Sequence, residues 1–241
     1  MVFRQEKLRA AGKVILTKMA TGNEDTEEDF IWKNPFTLTL AGPTQSGKST
    51  FIHNMIKTAG KKYSEKPGKF YLFYSIWQPI YEKMAKLNCD IEFFPGMPNS
   101  DFIHDTVEQG RNDTLVFDDL ASNLGKSTVE LFNVLSHHMG CNVCFIVHNL
   151  FERAPFFREI SLNSKYICIM KNPRDSSSIF HFARQFSPEN PRRVVEIFRY
   201  ATKKPQSYLM IDLSQDTPDS SRLMSNIFHE NGDDFLIYRN V

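Results

Sequence analysis

The sequence predicts an α/β protein with a central, mostly parallel sheet and helices on both faces. Three observations predict it. Apolar strand-like runs alternate with helical stripes along most of the 241 residues, the order in which βαβ units build parallel sheets. Runs such as VCFIV (Val143–Val147) and YICIM (Tyr166–Met170) read as buried strands bounded by turn signals. Finally, AGPTQSGKST (Ala41–Thr50) contains Gly42-x-x-x-x-Gly47-Lys48-Ser49, a glycine loop set between a strand and a helix.

Taken in order, residues 1–30 form a lead-in whose acidic stretch, TGNEDTEED (Thr21–Asp29), lacks apolar anchors and reads as an arm or loop. Residues 31–215 carry the main domain. Phe36–Leu40 alternates as a strand, and Phe51, Ile52, Met55, Ile56 and Ala59 mark a helical face that Gly60 is expected to end. Lys69–Ser75 is a second strand, followed by Trp77-Gln78-Pro79 and a short helix through Met84 and Leu87. Ile91–Phe94 is a third, closed by Pro95–Pro98, and Thr114–Asp119 is an apolar run ending in two carboxylates. Leu131, Phe132, Leu135 and Met139 give a helical stripe before Gly140. Val143–Val147 ends in His148-Asn149, and Tyr166–Met170 leads into Lys171–Asp175. Ile179, Phe182, Ala183 and Phe186 form an amphipathic helix stopped by Pro188; Val194, Ile197, Phe198 and Ala201 form another before the Ser207–Leu213 strand. Residues 216–241 are an extension in which Asp234–Tyr238 is an edge strand or a docking tail.

Composition narrows the classes. Hydrophobic residues make up 41% and charged residues 24%, as in folded domains, and 21 Phe supply an aromatic core. Lys+Arg (29) and Asp+Glu (28) nearly cancel, which excludes a uniformly basic nucleic-acid coat but not a local patch. No apolar run is long enough to span a bilayer, and the N-terminus lacks the apolar core of a secretory signal. Four Cys do not suggest a disulfide framework, so a soluble intracellular setting is expected, without secretion or membrane insertion. Cys141 and Cys144 lie three apart on a strand, which points them to opposite faces and argues for core packing over a shared metal.

The glycine loop carries the chemistry. A phosphate chain needs converging backbone N–H groups and close backbone approach. Gly42, Pro43, Thr44, Gln45, Ser46 and Gly47 form that cradle, Lys48 reaches the β and γ oxygens, the Ser49 hydroxyl holds Mg²⁺, and Thr50 continues the helix whose N-terminus faces the phosphates. Asp118, 70 residues beyond Lys48, is placed to take the Mg²⁺. Asp119 either polarises an attacking water or caps the next turn. His148 and Asn149 either hold that water and sense the γ-phosphate, or Asn149 simply closes its strand. The His137-His138 pair does not converge on one metal. Arg153, Arg158, Arg174 and Arg184 are candidates for a finger reaching a neighbouring subunit's site.

Several longer stretches carry a resemblance. LSHHMGCNVCFIVHNLF, REISLNSKYICIMKNPRDSSSIFHFARQF, SIWQPIYEKM and IEFFPGMP closely resemble the DNA-packaging ATPases of Maverick/Polinton elements and related DNA viruses, in the FtsK–HerA superfamily, from about Phe36 to Leu213. The resemblance implies a RecA-like P-loop NTPase of the additional-strand class, with the Asn149 strand between the P-loop strand and the Asp118 strand. It implies a homo-oligomeric ring, a hexamer by preference, that hydrolyses ATP with Mg²⁺ to drive double-stranded DNA into a capsid through a capsid or portal-like component, at the host cell's virus assembly site. Lys48, Ser49, Asp118 and Asp119 match the family's nucleotide, Mg²⁺ and catalytic positions. His148 departs from it, standing where many relatives have Gln, so the sensor is His148 or Asn149. Exposed basic pairs at Lys61-Lys62, Arg192-Arg193 and Lys203-Lys204 are available for DNA. Two alternatives remain: a small-molecule or nucleoside kinase, and a nucleotide-binding scaffold without turnover.

Overall fold

The computed structural model describes residues 15–18, 29–121, 135, 138–151, 157–229 and 234–239. The helical stripe expected at Leu131 and Phe132, His137 and Arg153 lie outside the described residues, as does the acidic arm before Asp29.

Ten strands form one sheet in the order β1-β10-β9-β8-β7-β2-β6-β5-β3-β4. Its parallel half comprises β7 (Tyr166–Met170), β2 (Thr37–Ala41), β6 (Asn142–Val147), β5 (Thr114–Asp118), β3 (Phe70–Tyr74) and β4 (Ile91–Pro95). The other half is antiparallel: β8 (Tyr208–Asp212), β9 (Leu223–Ser225), β10 (Leu236–Arg239) and β1 (Ile15–Lys18). β6 therefore sits between the glycine-loop strand β2 and the acidic strand β5, which is the additional-strand, RecA-like arrangement. The expected extension at 234–238 is a strand, placed between β9 and β1 rather than at the rim.

Two apolar layers cover the sheet. Helix α1 (Lys48–Lys62) and α2 (Pro79–Met84) bury Phe51, Ile52, Met55, Ile56, Tyr81 and Met84 on one face, against Leu38, Leu40, Val116 and Ile146. On the opposite face α3 (Ser100–Thr106), α4 (Phe157–Leu162), α5 (Ser176–Phe186) and α6 (Pro191–Ala201) contribute Ile103, Ile160, Ile179, Phe182, Ile197 and Phe198. Strand alternation feeds both layers: Cys144 belongs to the first and Cys141, just before β6, to the second. The two thiols face apart, and burial pushes the Cys141 thiol up to about 12.

Helix α1 runs two residues past Gly60, because one exposed glycine costs only about 1 kcal/mol while Ala59 and Lys62 on either side are buried. Its last turn is closed by Tyr63 N–H donating to Ala59 O at 3.0 Å. Lys62 donates to both Asp29 oxygens at 2.6 Å and is buried, so only Lys61 of that pair is exposed for DNA. Among the described residues no helix is long and apolar enough to cross a membrane.

Candidate functional site

The carboxyl ends of β2, β5 and β6 meet at one edge, where an open α/β sheet binds its ligands. β2 runs straight into the glycine loop: Gly42 N–H donates to Val147 O at 3.1 Å, prolonging the β2–β6 ladder by one bond. Gln45 (φ 65°) and Gly47 (φ 104°) then take left-handed backbone, turning the chain tightly into α1. Glycine at 42 is dictated by close approach, since a Cβ there would lie 2.6 Å from Ser46 Oγ and 2.8 Å from Met170 Cβ. Ser46 Oγ donates to Met170 Sδ at 3.3 Å, tying the loop to β7. Pro43 O accepts from Ser46 N–H at 3.2 Å, while Thr44 and Thr50 are exposed. The first turn of α1 holds no acidic residue, so its positive dipole end is uncompensated by side chains.

Lys48 folds over this loop, donating from Nζ to Gly42 O at 2.5 Å and Pro43 O at 3.0 Å. Burial depresses its ammonium below the usual value, against the attraction of Asp118 and Asp119. Asp118 ends β5 and is 4% exposed. Burial raises its carboxyl above the usual range, opposed by the Tyr81 hydroxyl and by Lys48. Asp119 turns out of the strand at φ 56°, with its N–H donating to Ile146 O at 3.3 Å. Its half-exposed side chain meets His148, with Nε2 at 3.0 Å from Asp119 Oδ1.

His148 and Asn149 are adjacent, yet the structure sends them to different places. Asn149 Nδ2 donates to Asp175 Oδ2 at 2.8 Å, and its Oδ1 accepts from Phe151 N–H at 2.9 Å and Ser178 Oγ at 3.2 Å. Asp175 caps α5, accepting from Ser178 N–H at 3.0 Å and Ser177 Oγ at 2.7 Å; the serine hydroxyls pull its carboxyl well below the usual range. Asn149 is thus tied to the start of α5, and His148 to Asp119. The arginine candidates are spread out: Arg158 and Arg174 are exposed, and Arg184 lies with its guanidinium 4.9 Å from the Phe180 ring. Among the described residues none of the three bonds to Lys48, Asp118 or Asp119.

Two residues of this edge escaped the sequence reading. Gln78, between β3 and α2, accepts from Ser49 Oγ at 2.8 Å and donates from Nε2 to Asp118 Oδ2 at 3.1 Å. Tyr81 OH donates to the same Oδ2 at 2.6 Å. Polar side chains after a strand form no periodic pattern. The available signal was position: Gln78 follows β3, which pairs in parallel with β5 and ends level with it.

The donors suit a magnesium nucleotide. Ser49 hydroxyl and Asp118 carboxylate are hard oxygens on facing elements, and Mg²⁺ is held by one or two such groups plus phosphates and waters. A cleft of about 1220 Å³ opens beside the loop, lined by Gly47, Thr50, Asn54, Lys203, Gln206 and Phe228 among others.

No protein-family model and no curated protein sequence matches the chain. Solved structures do resemble it. The genome packaging NTPase B204 from Sulfolobus turreted icosahedral virus 2, in complex with ATP-γS, has 15% identity over 76% of this chain and 94% of its own, with a TM-score of 0.48. EssC (ATPases 2 and 3) from Geobacillus thermodenitrificans has 11% identity over 85% of this chain and 39% of its own, at 0.45. The cytoplasmic domain of the type VII secretion ATPase EccC from Thermomonospora curvata has 13% identity over 86% and 24%, at 0.44.

Proposed function

We propose that this chain binds ATP with Mg²⁺, hydrolyses it, and uses the energy as a homo-oligomeric ring to drive double-stranded DNA into a viral or virus-like capsid. The observation that most supports hydrolysis is Asp119, half-exposed beside the nucleotide cradle and held through Oδ1 by His148. A kinase positions an acceptor hydroxyl; here the second carboxylate faces solvent, which supports water as the acceptor.

In this reading the loop N–H groups and Lys48 grip the phosphates, Lys48 turning from Gly42 O and Pro43 O to oxygens of greater charge. Ser49 and Asp118 would hold the Mg²⁺, which would shield the phosphate charge. Asp119 accepts a hydrogen bond from the attacking water and takes its proton as the oxygen closes on the terminal phosphorus. His148 fixes the rotamer of Asp119, while Asn149 supports the turn from behind. ADP with phosphate then leaves. Phosphate-directed contacts by exposed Arg192, Lys203 and Lys204 would make DNA binding salt-sensitive and indifferent to sequence. Ring symmetry repeats each contact, so a net charge of only +1 is no obstacle.

The test is phosphate release with and without double-stranded DNA, alongside native mass. DNA-stimulated release by an oligomer is expected. Transfer to a nucleoside instead would establish a kinase, and nucleotide binding without turnover a scaffold. Lys48→Ala is expected to abolish hydrolysis. Asp119→Asn should bind ATP yet cleave it about 10²–10⁴-fold more slowly, the usual range for a lost general base; equal turnover would assign the second carboxylate to structure.

A further inference from the structure

Gln78 joins the two halves of the cation site through one amide. Its Oε1 accepts the Ser49 proton at 2.8 Å while its Nε2 donates to Asp118 Oδ2 at 3.1 Å. Ser49 belongs to α1 and Asp118 to β5; the β2–β6–β5 ladders fix the backbones, and this side chain links the two ligand side chains to each other. Accepting the serine proton leaves the Oγ lone pairs to face a metal. Donating to Oδ2 beside the Tyr81 hydroxyl holds the carboxylate rotamer.

The residues around Gln78 give this bridge an exit to the surface. Ile76 and Trp77 precede it and are 75% and 46% exposed, among the largest exposed apolar groups described. Trp77 rests its ring edge-on against Tyr74 and Tyr81 at 5.4 Å and Phe93 at 5.5 Å. Tyr81 therefore touches both the Asp118 carboxylate and the Trp77 ring.

We propose that Gln78 is a positioning residue that sets the spacing of the two cation ligands, and that seating the cation is transmitted through it and Tyr81 to the exposed Trp77 corner. This rests on the ATP–Mg²⁺ reading above and adds to it a device that reports the loaded state at the surface. Gln78 acts through Ser49 and Asp118.

The chain carries two tryptophans, and Trp32 is 0% exposed beside Tyr63 at the far end of α1, so emission changes at the site arise from Trp77. The whole protein is saturated with a non-hydrolysable ATP analogue in EDTA, then titrated with MgCl₂ while tryptophan emission is followed, with Trp77→Phe as the subtraction. The wild type should respond to Mg²⁺. Gln78→Ala, and Gln78→Met, which keeps the shape and loses both hydrogen bonds, should raise the half-saturating Mg²⁺ by about 10–100-fold, the range for losing a group that orients a metal ligand. Affinity for the analogue in EDTA, measured by calorimetry, should stay unchanged. An unshifted Mg²⁺ midpoint in the folded Gln78→Met variant, or a Trp77 signal that ignores Mg²⁺ in the wild type, overturns the proposal. Failure of the wild type to bind the analogue at all overturns the ATP reading instead.

Discussion

Replacing Arg111 with Met should strip one half from an ion pair that anchors the starting ends of three strands. Asp113 is 0% exposed. Its Oδ1 accepts from Arg111 Nε at 2.7 Å and from Lys69 N–H at 2.8 Å, and its Oδ2 accepts from Arg111 Nη2 at 2.6 Å. Its backbone carbonyl accepts from Asn142 N–H at 2.8 Å, so one residue ties the entries of β3, β5 and β6. Removing one partner of a buried pair costs about 3–5 kcal/mol because the other charge is left stranded. The guanidinium is 30% exposed, so water already screens part of the attraction, and the lower end, about 3 kcal/mol, is expected. At about 2–4 °C per kcal/mol for a domain of this size, the melting point should fall by roughly 6–12 °C. Urea unfolding followed by the emission of buried Trp32 reads the loss directly. Arg111→Met combined with Asp113→Asn should be less destabilised than the two single losses added together, since neutralising the carboxylate relieves the stranded charge. The site at the opposite ends of these strands should keep its nucleotide affinity. A loss below about 1 kcal/mol, the level of an exposed pair, or strictly additive losses, would refute the claim that the carboxylate depends on its guanidinium.

Three further outcomes follow from the geometry. Gly42→Ala should cost about 1–3 kcal/mol by overpacking against Ser46 and Met170 and weaken nucleotide binding, measurable by thermal melts with and without nucleotide. His148→Ala should lower turnover while leaving stability near wild type, whereas Asn149→Ala should lower stability by about 1 kcal/mol with a smaller effect on turnover; the reverse pattern would make Asn149 the sensor. Burial raises the Asp29 carboxyl, but bonds from Lys62, His229 and Phe30 N–H outweigh it, so its value in the folded protein lies below the usual 3.8. Its stabilisation is therefore complete above about pH 4 and lost as pH falls through the folded value. Asp29→Asn should lose less stability than wild type across that acid range in urea melts.

The parallel half of the sheet was legible because each strand carries its own apolar run and each helix its own stripe. The glycine loop and the Asp118-Asp119 pair were legible because their chemistry is local. In the antiparallel half β8 and β10 were foreseen as strands, but β1, β9 and the pairing were not: β9 is three residues long, and β1 and β10 pair Ile15 with Arg239 from opposite ends of the chain. Short strands with distant partners leave no periodic trace. Lys62 shows the same limit for charge. Its sequence neighbours made it a surface cation, and only the approach of Asp29 turned it inward.

Taken alone, the sequence determined the α/β class, the glycine loop at Gly42–Ser49 between strand and helix, and the two carboxylates ending an apolar strand, because backbone propensity and motif spacing act over a few residues. Tertiary structure decided that His148 faces Asp119 while Asn149 holds Asp175, and that Gln78 and Tyr81 complete the Asp118 site. Those choices depend on which elements stand side by side. A side chain's role within hydrogen-bond reach is set by neighbours tens of residues away, and the order of strands in the sheet supplies them.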